Sequence, residues 1–294
     1  MRELFEPTFD EIEAWCQSFV PEETLYWVDS TFLEDLPSDS LILPRQEFSR
    51  HPTYKSPYLS NAYVTWMMGE GVTYIAHVPS VSIDRLRQDV KTRLLEYQVA
   101  TNRGLVLPLT IEQRNGLSDD AVVEKDGQCF IVLHESNWKE LSTETRHSLI
   151  YRYAKEWDMW EGERCDERIP AYLATYANTF PIRDGDNCLA ATLFAATQNE
   201  WMIHQWIHPE TFLQTIQFSG YKTVTDVIPE SDDVLTFWDG GGQLVHASYC
   251  IRQNLYFNKH GQVRFNPWKL IHHDELMKQW GDYRMQVERR SKSE

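Results

Sequence analysis

Cys188 follows Asp186 and Asn187 directly and heads the apolar run CLAATLFAATQ. Asp and Asn are good helix N-cap residues, so the run is expected to be a helix with the thiol in its first turn. A free thiol titrates near about 8.5 and is a weak nucleophile until it loses its proton; a helix N-terminus or an imidazole partner lowers that value. The free N–H groups and positive dipole end of the helix should therefore favour thiolate. The same groups could hold the oxyanion of a tetrahedral intermediate.

A base has to come from elsewhere in the chain. His246 lies in the strand-like run LVHASYCI, 58 residues on. Period-two alternation puts His246, Ser248 and Cys250 on one face and Ala247, Tyr249 and Ile251 on the other. After the Arg252–Gln253–Asn254 turn comes NLYFNK, with Tyr256 and Asn258 on one face. In an antiparallel pair Asn258 can lie beside His246, accept from its imidazole and fix the tautomer, as the third member of a catalytic triad does. His260 shares the Asn258 face and is the alternative third member. Taken alone, a Cys ahead of an apolar helix is most often a buried core thiol, and a His in a strand is usually half-buried and satisfied. It is their combination that points to chemistry. Cys250, on the His246 face, is expected to be a buried thiol.

The elements around these residues read as follows. Helices are expected near 188–198 and from Pro209 to Gly220, then strands at 234–239, 244–251 and 254–259, and a last helix HDELMKQWGDYRMQVERR before a frayed SKSE end. Helix first and a meander of strands after it is an α+β order. Residues 1–180 read as mixed α and β: a helix at 9–18, strands within 60–80, a helix from Ser82 to about 98, strands in GLVLPLTI and QCFIVL, a helix from Ser142 to Trp157, and another opened by Pro170. No motif in that part names a chemistry.

The run DGDNCLAATLFAAT resembles the nucleophile helix of NlpC-type peptidases, a CHAP-related branch of the papain-like superfamily. DDVLTFWDGGGQLVHASYCIRQNLYFNK resembles that family's next block, in which a strand precedes the histidine strand and a third polar residue follows on the next one. The resemblance spans about residues 181–270. It implies a papain-like fold, a nucleophile helix packed on an antiparallel sheet, with Cys188 as nucleophile, His246 as base and Asn258 in the third position. Asn187 stands where the family has Asp, and Leu189–Ala190 where it has Ser-Gly.

The formal net charge is −16. That disfavours nucleic acid as a partner, because a polyphosphate would be repelled at long range. Residues 181–294 carry 11 Lys and Arg against 14 Asp and Glu, a net −3, which leaves −13 for residues 1–180. The step suggests two domains, 1–180 of unknown fold and 181–294 carrying the hydrolase. Five scattered cysteines with no CxxC pair fit free thiols in a reducing compartment. The N-terminal run has no apolar stretch of a secretory signal and no segment is long and apolar enough for a membrane helix, so a cytoplasmic location with no membrane partner is expected. His204 and His208 have metal-ligand spacing, but no Glu follows His204 and Pro209 ends the pattern, so no metal is expected. Gly240–Gly242 lacks the spacing of a phosphate loop.

The expected function is that of an intracellular thiol hydrolase cutting an amide or peptide bond without cofactor or metal. Family analogy points to small peptide substrates such as cell-wall (peptidoglycan-derived) fragments. The alternatives are a papain-like acyltransferase or deamidase, and a non-catalytic binding protein.

Overall fold

The computed structural model describes residues 2–114, 117, 122–225 and 227–291. The expectation of a frayed tail covers residues 291–294: Ser291 donates its N–H to the Gly220 carbonyl at 3.0 Å, and 292–294 lie outside the described residues. The chain is mixed α+β, with all sheet pairs among the described residues antiparallel. It divides into two compact units, Ile12–Tyr153, and Met1–Glu11 together with Ala154–Glu294. The seam expected near residue 180 is thus displaced to about 154. Residues 154–180 belong with the C-terminal residues: Lys269 pairs with Asp158 at 2.9 Å, and Trp268 exchanges backbone hydrogen bonds with Asn178 and Thr179. A step in formal charge reports solvated side chains, whereas a unit boundary is set by where backbone and core contacts divide.

The Ile12–Tyr153 unit holds two three-stranded sheets. One has Tyr74–His77 between Leu25–Val28 and Leu41–Pro44, and the other has Gln128–Val132 between Val106–Pro108 and Val122–Lys125. The Gln88–Ala100 helix adds Leu94, Leu95 and Val99 to its core. The segment AYVTWMM, expected as strand, is instead the end of the helix Pro57–Ala62 and a 3-10 turn at Thr65–Met67. Ser56 caps that helix by accepting from the Leu59 N–H, and Pro57 fits its first position.

The other unit is built on a six-stranded antiparallel sheet. From one edge its strands run Trp268–His272, Leu255–Lys259, Leu244–Arg252, Val234–Trp238, Arg284–Arg290 and Tyr221–Val224. The Cys188–Thr197 helix lies on one face, where Leu189, Ala190, Leu193 and Phe194 share a core with Ala247, Tyr249, Ile251, Leu255 and Phe257. The final helix, His273–Trp280, covers the other face, where Leu276, Met277 and Trp280 meet Leu235, Phe237, Cys250, Tyr256 and Ile271. Two expectations fail here. The helix after Pro170 spans only Ala171–Ala174. The last helix stops at Trp280, and Arg284–Arg290 is a strand paired on both sides, with Val234–Trp238 and Tyr221–Val224. Its residues are compatible with either state. Backbone pairing to two neighbours decides for strand, a case of tertiary context overriding local propensity.

Candidate active site

Cys188 is the first residue of its helix, as expected. Asn187 is the N-cap: its Oδ1 accepts from the Ala190 N–H at 3.0 Å, and its Nδ2 donates to the Ile207 carbonyl at 2.8 Å. The thiol is half-buried and lies against the backbone N–H groups of Ala247, Leu189 and its own residue. Those groups and the Lys259 ammonium favour the thiolate. Burial opposes them and prevails, pushing the Cys188 thiol up to about 11. The low thiol pKa expected from the helix position is therefore not realised, because desolvation of a charged sulfur outweighs partial charges around it.

His246 and Asn258 are brought together. The His246 Nε2 lies 2.8 Å from Asn258 Oδ1, so Nε2–H donates and the carbonyl accepts. The ring is fully buried. Trp280 stacks on it with centroids 4.0 Å apart and planes 4° apart, and Phe237 lies 5.8 Å away. Burial drives the His246 pKa down to about 3; the Asn258 hydrogen bond works against this and His260 adds to it. His246 is thus a neutral imidazole whose other nitrogen, Nδ1, carries a lone pair. That atom is buried and has no hydrogen-bond partner among the described residues.

Cys188 and His246 are not joined by a hydrogen bond. The predicted alternation holds, but the face that meets the Cys188 helix is that of Ala247, Tyr249 and Ile251. The His246 ring belongs to the face of the final helix, beneath Trp280. The two candidates approach through the backbone: the thiol touches the N–H of Ala247, the residue next to the imidazole. Asn258 contacts His246 directly, and His260 stands one step behind it, its Nδ1 3.2 Å from Asn258 Nδ2. Cys250 is fully buried and pushed up to about 12 by desolvation.

Several neighbours escaped the sequence reading. Lys259 is fully buried on the Cys188-helix face, 3.5 Å from Asp186 and donating to the carbonyls of Val263 and Asn266. Burial lowers its pKa, Asp186 holds it up, and burial raises the Asp186 carboxyl to about 6. A lysine alternating with Phe257 and Leu255 in an apolar strand was the available signal. Trp280 gave none, since nothing local says which strand residue a helix aromatic will cover.

His204 ends a 3-10 turn, Glu200–His204, and packs on Tyr176 and Trp268, while His208 caps a separate helix. No group of three or more metal-ligating side chains occurs among the described residues. No helix among them is long and apolar enough to cross a membrane. Comparison of the chain with protein-family models, with curated proteins and with solved structures finds no match.

Proposed function

We propose that the unit containing Ala154–Glu294 is a papain-like, NlpC-type thiol hydrolase that cuts an amide or peptide bond through Cys188, His246 and Asn258. One observation carries this reading. The His246 Nε2–H bond to Asn258 leaves an orphaned, buried Nδ1 lone pair, and the next residue of the strand, Ala247, turns its N–H toward the Cys188 thiol. A buried acceptor left unpaired is costly and calls for a role. Accepting the thiol proton is such a role.

In this reading the arrangement described above is the resting one, with thiol and imidazole both neutral. Reaction then requires a rearrangement that carries the His246 ring out from under Trp280 to the face of the Cys188 helix, where Sγ and Nδ1 meet. The proton passes from Sγ to Nδ1 and the thiolate attacks the carbonyl carbon. The N–H groups of Cys188 and Leu189 sit where they can stabilise the resulting oxyanion. The imidazolium then protonates the leaving amine, and the neutral ring activates the water that releases the acid. The substrate class, amides in peptidoglycan-derived peptides, rests on family analogy. Transfer to an amine, or release of ammonia from a carboxamide, would use the same steps with a different acceptor or leaving group.

The test is turnover of a peptidoglycan stem-peptide mixture, with new amino groups, ammonia and product masses recorded. Wild-type activity that disappears in Cys188→Ala supports the reading, and the product identity separates hydrolysis, transfer and deamidation. A second reading, a non-catalytic binding protein, is favoured by the complete burial of His246 under Trp280. It prevails if no acyl-enzyme mass forms on Cys188 with any acyl donor.

A further inference from the structure

The two ends of an Asn side chain have nearly the same shape, so packing alone does not decide which of them faces His246. The choice matters. With Oδ1 toward the ring, His246 carries its proton on Nε2 and presents a lone pair at Nδ1. With Nδ2 toward the ring, the proton moves to Nδ1 and the base is lost. Asn258 is almost fully buried, so water cannot arbitrate.

The residues behind Asn258 can. Asn258 Nδ2 lies 3.2 Å from His260 Nδ1, and His260 Nε2 lies 3.7 Å from Glu275 Oε1. A carboxylate only accepts, so it draws the His260 proton to Nε2. With that proton on Nε2, the His260 ring offers a lone pair at Nδ1. Only the NH2 end of Asn258 can satisfy that lone pair, which turns Oδ1 toward His246, where it accepts at 2.8 Å. Glu275 is itself held from two sides. Arg2 donates to its Oε2 at 2.7 Å, and Lys269, fixed by Asp158 at 2.9 Å, stands 3.6 Å from its Oε1.

We propose that Glu275 and His260 form a positioning dyad that sets the orientation of Asn258 and, through it, the tautomer of His246. Neither residue touches the reacting atoms. The two hydrogen bonds of the line His246–Asn258–His260 then each have one permitted direction, set through the 3.7 Å electrostatic contact between His260 and the Glu275 carboxylate. The catalytic meaning of the tautomer rests on the hydrolase reading; the tautomer itself does not.

Nitrogen-resolved imidazole NMR of the full-length protein reads the tautomers directly. Wild type should show both His246 and His260 protonated on Nε2 and bare on Nδ1. Either ring found protonated on Nδ1 alone overturns the proposal without any variant. In Glu275→Gln the terminal amide can donate as well as accept, so the direction of the line is no longer dictated. The Nε2-protonated form of His246 should then fall to about half or less. Turnover number should fall with it, about two- to tenfold, while KM stays put. His260→Gln, which likewise can present either end to Asn258, should do the same. Folded spectra of either variant with His246 still wholly in the wild-type tautomer would overturn the dyad. If only one variant folds, that one decides. A wild-type protein with the expected tautomers and no amide-cleaving activity sinks the hydrolase reading and supports the dyad.

Discussion

Cys188 should be a slow nucleophile in the resting protein. Its thiol is pushed up to about 11 by burial. At pH 7 the thiolate fraction is then about 10⁻⁴, against about 3 × 10⁻² for a free thiol titrating near about 8.5. The population term alone slows alkylation about 300-fold. A more basic thiolate is also more nucleophilic; with a Brønsted coefficient of about 0.4–0.5, the extra 2.5 or so pKa units return a factor of about 10–20. The net expectation is labelling about 20–30-fold slower than a free thiol at pH 7, before any steric hindrance at this half-buried site. The rate should climb about tenfold per pH unit up to pH 10. The assay is iodoacetamide labelling from pH 6 to 10, with peptide mapping by mass. Cys16 and Cys250, both pushed up to about 12 by burial, should be slower still. Cys188 labelling at pH 6 at or above the free-thiol rate, and flat to pH 9, would refute the argument. It would mean that a thiolate–imidazolium pair already exists at rest and that burial does not govern this sulfur.

Three further outcomes are expected. His246 titrates near about 3 folded and near about 6.5 unfolded, so the unfolded chain binds the extra proton between those values: the stability held by the neutral ring is complete above about pH 6.5 and lost as pH falls toward 3. Urea unfolding of wild type should therefore fall off more steeply through that window than His246→Gln, by up to about 1.4 kcal/mol per pH unit; equal slopes would show the ring is not buried neutral. Asn258→Ala leaves a buried Nε2–H without an acceptor and should cost about 1–3 kcal/mol in unfolding free energy, with turnover reduced less than the 10²–10⁴-fold typical of losing general acid–base assistance; an intact enzyme after Asn258→Ala and a crippled one after His260→Ala would reassign the third member. Any amide-cleaving activity should survive excess EDTA and vanish with a thiol reagent, and the reverse pattern would turn attention to His204 and His208.

The elements of the Ala154–Glu294 unit that local chemistry controls were legible in the chain. Asn187 ahead of an apolar run announced a capped helix, and that helix starts at Cys188. Alternation in LVHASYCI and NLYFNK announced strands, and the Asn254 turn between them set a pairing in which Asn258 reaches His246. Capping, alternation and a short turn act over a few residues, so a few residues suffice to read them.

What the chain alone left undecided was everything that depends on which surface meets which. Alternation states that His246 and Ala247 point to opposite sides of a strand. It does not state which side the Cys188 helix will cover, and packing assigns that side to Ala247. Helix position predicts a lowered thiol pKa, yet burial is a property of the assembled core and it raises the thiol instead. RMQVERR satisfies a helix pattern as readily as a strand pattern until two neighbouring strands offer their backbone groups. Short-range dihedral and capping preferences are written residue by residue, while facing, desolvation and long-range pairing exist only once distant segments share one core.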